Sequence, residues 1–340
     1  MLNLITDVPG LKVGNAHDET VLSGVTAVIF DEPAIASLAI HGGAPGVRDT
    51  ALLDPEMTVE RVDALVLSGG SAFGLDAPGG VQAALRAAGR GFPVGSVKIP
   101  IVPGAILFDL LNGGDKNWPR MSPYWELGYA AAEAVATDFA IGSAGAGFGA
   151  TTANLRGGLG SASSRTAGGF TVGALVAANA IGSATIGTGP HFWAAPYEQN
   201  SEFGGLGWPA QIEAADLDLV IKGAAAPKPE NTTIAIVATD AELTKGGARR
   251  LAVMAHDGMG RALRPSHAAM DGDLIFTAAT GKARKTPDAR DHIEIGQAAA
   301  DCLARAIARA VFAAAPALKV PDAKKAWREL FFNRGVSDRQ

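Results

Sequence analysis

A layered α/β fold with mixed sheets is the architecture this sequence predicts, and three observations carry it. Short apolar runs rich in Val, Ile and Ala recur along the 340 residues without clean alternation, as strands covered on both faces do. Segments with helical spacing fall between and after them. Glycine, at 43 residues, gathers in clusters such as HGGAPG, LSGGSAFG and RGGLGSAS, which mark tight turns and close backbone packing rather than a flexible linker.

In chain order, VTAVIF (25–30) and ASLAIHG (36–42) read as two strands and ALVLSGG (64–70) as a third. DAPGGVQAALRAAG (76–89) follows with helical spacing, and ELGYAAAEAVATDFA (126–140) leads into a Gly-rich turn. FTVGALVAAN (170–179), TIAIVAT (233–239) and DLIFTAAT (273–280) complete the strands. Two longer amphipathic segments, 242–263 and 293–315, close the pattern; in the first, Leu243, Leu251 and Met254 recur at helical spacing with Arg249 and Arg250 outside. One segment boundary stands out, at about 215–231, where an apolar strand-like stretch gives way to Pro227, Lys228, Pro229 and Glu230. A single α/β unit spanning 1–340 is expected.

Composition narrows the function. With 48% hydrophobic and 19% charged residues the chain can bury a sizeable core, and a net charge of -5 without a basic block argues against nucleic acid. The sole cysteine, Cys302, has no internal disulfide partner and reads as a buried bystander. The opening MLNLITDVPGLKVG lacks signal-peptide character, and no apolar stretch approaches the ~20 residues of a membrane span, so a cytoplasmic protein without a membrane partner is expected. His41, His256 and His267 have no metal-ligand spacing, and no metal or cofactor is expected. The Ser68–Gly69–Gly70–Ser71 stretch is open to anion binding but lacks a phosphate-loop lysine, and reads as a tight turn.

Three features bear on chemistry. Asn231, Thr232 and Thr233 stand at the doorway of an apolar run. Were the Asn231–Thr232 bond cut, Thr232 would gain a free α-amine, with a reference pKa of ~7.7–8.0, beside its own hydroxyl. That pair is a recognised activated nucleophile. In MDGDLIF, Asp271 and Asp273 flank a glycine; on a strand both would face one side and split their titration, or they form a solvated turn. Asn179 is an amide in an apolar stretch, available either to backbone groups or to a developing oxyanion.

In this order the clusters resemble the L-aminopeptidase/D-esterase (DmpA-type) family, which includes β-aminopeptidases and endo-type hydrolases of nylon oligomers. ITDVPGLKVGNAHDE, GGAPGVRDT, LSGGSAFGLDAPGGV, IPIVPGAILFDL, GSAGAGFGATTANLRGGLGSAS, NTTIAIVATDAELTK and MDGDLIF extend the resemblance over nearly the whole chain. It implies a self-processed N-terminal nucleophile hydrolase folded as an αββα sandwich, cut into an α chain of 1–231 and a β chain of 232–340. Thr232 would be the nucleophile, Asn179 part of the oxyanion hole, and Asp271 and Asp273 the supporting pair. A homo-oligomer of four α/β pairs and a short peptide, amino amide, amino ester or 6-aminohexanoate oligomer as substrate are also implied. The DGD form and a threonine nucleophile lean toward the nylon-oligomer branch. Two departures stand against that: Asn154, with Arg156 nearby, aligns with an active-site lysine of that branch, and Phe108 with a tyrosine. They motivate a second expectation, an unprocessed binding or scaffold protein of the same fold.

Overall fold

The computed structural model describes residues 1–223, 231–316 and 323–332, so Pro227 and Pro229 of the expected boundary lie outside the described residues. Its strands are β1 (Leu11–Asp18), β2 (Ser23–Ile40), β3 (Val47–Arg48), β4 (Arg61–Ser68), β5 (Phe92–Val94), β6 (Val97–Ile99), β7 (Gly104–Ile106), β8 (Gly158–Arg165), β9 (Thr171–Asn179), β10 (Thr232–Thr239) and β11 (Leu274–Ala279). The helices are α1 (Ala77–Ala87), α2 (Tyr124–Glu133), α3 (Lys245–Ala262), α4 (Ala289–Phe312) and α5 (Trp327–Phe331). The main sheet runs β3-β7-β4-β2-β11-β10-β9-β8, with β1 paired to β2. It is mixed, because β10–β11 and β4–β7 are parallel while the other pairs are antiparallel.

The two runs expected as separate strands before residue 43 are one, β2. Its first half pairs with β1 and β4 and its second half with β11; the β4 register shifts between Ile29 and Ala34, around Pro33. This long strand carries the sheet from one layer to the next. As a result β10 packs against β4 and β7, although neither is its neighbour in the sheet.

Three apolar cores separate four layers. Val25, Ala27 and Ile29 of β2 and Ala64 and Val66 of β4 meet Val81 and Leu85 of α1 and Ala131 of α2. Alternate residues, including Val28, Phe30, Leu65 and Leu67, turn inward against Leu175, Ile234, Ile236 and Phe276 of the other half. The outer faces of β9–β11 are covered by Leu251, Ala255 and Met259 of α3 and by Leu303 and Ile307 of α4. Both faces of each half-sheet are therefore covered, and the arrangement is the expected αββα sandwich.

Local chemistry fixes the helix starts. The Thr244 hydroxyl accepts the Gly247 N–H at 3.1 Å to begin α3, and Asp288 accepts the Asp291 N–H at 2.8 Å to begin α4. The apolar pattern did not mark β8, where α4 lies so close that a Cβ on Gly160 would stand 1.9 Å from the Ala306 carbonyl oxygen. Among the described residues no helix is long and apolar enough to cross a membrane.

Candidate active site

Thr232 is the first residue of β10, and the pairing of that strand decides its surroundings. In the antiparallel register with β9, Thr232 stands opposite Asn179. On the other side β10 runs parallel to β11, and the chain ahead of each strand continues the pairing through a bridge between Asn231 and Asp271. Strand order thus brings three clusters, separated by up to 94 positions, to one place. All of Asn179, Asn231, Thr232, Asp271 and Asp273 are buried.

The Thr232 hydroxyl donates to the Asn231 carbonyl oxygen at 2.5 Å, and the Gly272 N–H reaches the same oxygen at 3.1 Å. That carbonyl is polarised and has the hydroxyl beside it. Glycine is required at 272 because a Cβ there would lie 2.6 Å from Thr232 Oγ. Both polar side-chain atoms of Asn231 are buried without a partner among the described residues.

The two carboxylates differ in their donors. Asp273 accepts the Thr233 N–H at 2.8 Å through Oδ1, and through Oδ2 the backbone N–H and ring Nδ1 of His267 at 3.0 and 2.9 Å. Asp271 Oδ1 has no partner among the described residues. Burial, reinforced by the charge of Asp273, pushes Asp271 up to about 8. Asp271 therefore keeps its proton near neutrality.

Asn179 is oriented on both ends. Its Oδ1 accepts the Thr151 N–H at 3.0 Å and the Lys222 ammonium at 2.8 Å, which leaves Nδ2 to donate to the Phe108 carbonyl at 2.9 Å. Nδ2 has a second N–H, on the residue opposite Thr232. Lys222 also bonds the Thr151 carbonyl, and burial pushes it down to about 7, with Asp109 opposing.

Sequence reasoning did not single out Lys222. It follows an apolar stretch in DLDLVIK, which looked strand-like but is irregular after a short turn of 3-10 helix at Ala214–Leu217, and its own N–H returns to the Ile181 carbonyl. The only signal was one lysine ending an apolar run.

Asn154 and Arg156 lie farther out. Asn154 is bonded to Thr185 and Ser183, and Arg156 to the Phe148 carbonyl. They flank the site indirectly, because Thr151, whose N–H holds Asn179, pairs with Arg156 across a small hairpin. Phe108 does line a cavity of about 410 Å³ that has Asn231 and Thr232 in its wall. Ala44, Pro45, Leu75, Ile106 and Met270 form much of the remainder, and none of the described lining residues is charged.

The Ser68–Ser71 stretch takes an anion from its own chain. Gly70, with a positive φ of 84°, donates its N–H to Asp109 Oδ1 at 2.7 Å, while Asp109 Oδ2 accepts the Ser23 hydroxyl. Burial raises the Asp109 pKa, with Ser23, Lys116 and the Gly70 N–H opposing. The turn is held by its own chain, as its sequence suggested, and its last residue, Ser71, lines the cavity beside Thr232. Against the spacing argument, the rings of His41, His256 and His267 converge, each with a nitrogen within 4.8 Å of the others. Separation in sequence hid this, because a strand end, a helix and a loop supply one histidine each.

Comparison with known proteins agrees with this architecture. An uncharacterized aminopeptidase of Mycobacterium tuberculosis is 39% identical over 348 residues, covering 97% of this chain and 98% of the relative. A 6-aminohexanoate-oligomer endohydrolase of Paenarthrobacter ureafaciens is 27% identical, covering 81% and 74%. The L-aminopeptidase D-Ala-esterase/amidase of Ochrobactrum anthropi, a variant of the Ntn hydrolase fold, superposes with a TM-score of 0.66 at 21% identity, over 95% of this chain and 90% of that one. Residues 3–324 match the family described as Peptidase family S58, so the chain belongs to that family of amide-bond hydrolases and has its Ntn-type fold.

Proposed function

We propose that the chain cuts itself between Asn231 and Thr232 and then hydrolyses amides with the new N-terminal threonine. The observation that carries this is the buried Thr232 hydroxyl at 2.5 Å from a carbonyl oxygen that also accepts the Gly272 N–H. In the first step Oγ attacks the Asn231 carbonyl carbon as its proton passes to the Asp271–Asp273 pair, which returns one to nitrogen in the next step, and the Gly272 N–H supports the charge on oxygen. The C–N bond breaks as Asp271 supplies a proton to the departing Thr232 nitrogen, and water hydrolyses the ester. The α-amine so released has a reference pKa of ~7.7–8.0, suited to take the hydroxyl proton in each later turnover.

In turnover, the Thr232 oxygen attacks the substrate carbonyl and the Asn179 amide donates to the oxyanion. The leaving amine departs with a proton, and water resolves the acyl-enzyme. Lys222 acts through Asn179: its donation to Oδ1 fixes which end of the amide accepts and leaves Nδ2 as the donor end. It brings an amine to the site from a different segment than the one occupied by Asn154.

The uncharged, mostly apolar cavity favours an acyl group without charge next to the scissile bond. Short peptides, amino amides or esters and 6-aminohexanoate oligomers all contain such a bond. A homo-oligomer of α/β pairs is proposed as well, supported by Phe92, Val94, Val97 and Ile99, which the β5–β6 hairpin leaves exposed. The test is Thr232→Ala assayed on a panel of these amides. It should remain one full-length chain and be inactive; an uncut Thr232→Ala protein with wild-type hydrolysis would remove the mechanism.

A further inference from the structure

We infer that His41, His256 and His267 form a binding site for one transition-metal cation of borderline softness, such as zinc or cobalt(II). His41 directly follows β2, His256 lies on α3 and His267 in the segment leading to β11. One ring nitrogen from each lies within 4.8 Å of the other two.

The hydrogen bonds assign the free lone pairs. His256 Nε2 lies 3.0 Å from the Ala39 carbonyl oxygen, an acceptor only, so Nε2 carries the proton and Nδ1 is a bare lone pair. Nδ1 is buried and has no partner among the described residues. His267 Nδ1 lies 2.9 Å from Asp273 Oδ2, which leaves Nε2 as its lone pair. In both rings, then, one nitrogen is taken by a carbonyl or a carboxylate, which leaves the other free. This is the outer shell that orients metal-bound imidazoles and fixes their tautomer.

The third ring is adjustable. His41 stacks on His256 with centroids 3.7 Å apart, and it is exposed, so it can rotate out of the stack. A rotation that closes the nitrogens to about 3.3 Å fits a tetrahedral ion with Zn–N bonds of about 2.0–2.1 Å. The fourth position then faces solvent on the His41 side. Three imidazoles suit zinc, cobalt, nickel and copper rather than calcium or magnesium. The Asp273 carboxylate behind His267, and Asp257 facing His41, offset the cation's charge.

The ion would touch none of the reacting atoms. It would be linked to Thr232 only through His267, Asp273 and the Thr233 N–H. Binding can therefore be read independently of whether Thr232 is the nucleophile.

The experiment is equilibrium dialysis of chelator-stripped full-length protein against Zn²⁺, followed by the visible spectrum with Co²⁺. One ion per chain and tetrahedral cobalt bands without thiolate charge transfer are expected, since Cys302 is fully buried. His41→Ala and His267→Ala should each weaken binding on the order of 100-fold, at least the loss seen when an outer-shell partner is removed. His292→Ala, at an exposed histidine outside the cluster, should leave it unchanged. Circular dichroism of each variant separates lost ligands from lost fold. No stoichiometric ion in the wild type, or equal affinity in folded His41→Ala and wild type, would overturn the site.

Discussion

The proton held on Asp271 gives a measurable pH dependence. Asp271→Asn is nearly isosteric, keeps a donor available toward Asp273 and cannot ionise. In the folded wild type the carboxyl retains its proton to about 8, whereas the unfolded chain releases it near 3.8. Between those values the folded state binds one proton more, so this group makes stability fall as pH rises, by about 1.4 kcal/mol per pH unit at the limit. From pH 5 to 8 the limit is about 4 kcal/mol, and a change of about 2–4 kcal/mol is expected. The assay is urea unfolding at each pH, made in a Thr232→Ala background so that self-cleavage does not intervene. The comparison of Asp271→Asn with its parent is repeated in a Lys222→Met background, because Lys222 interacts with Asp271 and titrates in the same range. Stability of the asparagine variant should gain on the parent steadily from pH 5 to 8. A flat difference over that range would refute the assignment of the proton to Asp271.

Lys222 has the opposite sign. Its folded pKa is depressed from 10.5 to about 7, so the unfolded chain binds more protons between those values and stability climbs with pH there. Lys222→Met should lack that climb in urea unfolding from pH 7 to 10, and should lower kcat/KM by roughly tenfold or more as Asn179 loses a donor to Oδ1. Asn179→Ala should lower kcat by ~10²–10³-fold while the protein remains folded, measured by steady-state kinetics alongside circular dichroism. Gly272→Ala places a Cβ 2.6 Å from Thr232 Oγ, so the chain should stay uncut on denaturing gels after prolonged incubation.

The centre of the fold was legible because β9, β10 and β11 are covered on both faces and are apolar at nearly every position. β8 was not legible, because GLGSASSR meets α4 through glycine backbone and buries serines as hydrogen-bonding groups: Ser161 Oγ donates to the Ala174 carbonyl at 2.8 Å. β1 was hidden by its mixture of polar and apolar residues in LKVGNAHD. β2 looked like two strands because Asp31, Glu32 and Pro33 form an exposed bulge in its middle. At the site, Thr232 could be picked out from its position at a strand entrance, and Asn179 from polarity within an apolar run. Lys222 and the three histidines depend on where distant segments return, which local pattern does not encode.

Intact mass and N-terminal sequencing of purified wild-type protein, followed over time beside amide hydrolysis, address the processed threonine most directly. Two chains, 1–231 and 232–340, should accumulate in step with activity, the second beginning at Thr232. Full hydrolytic activity in a preparation that contains only the unbroken chain would contradict it.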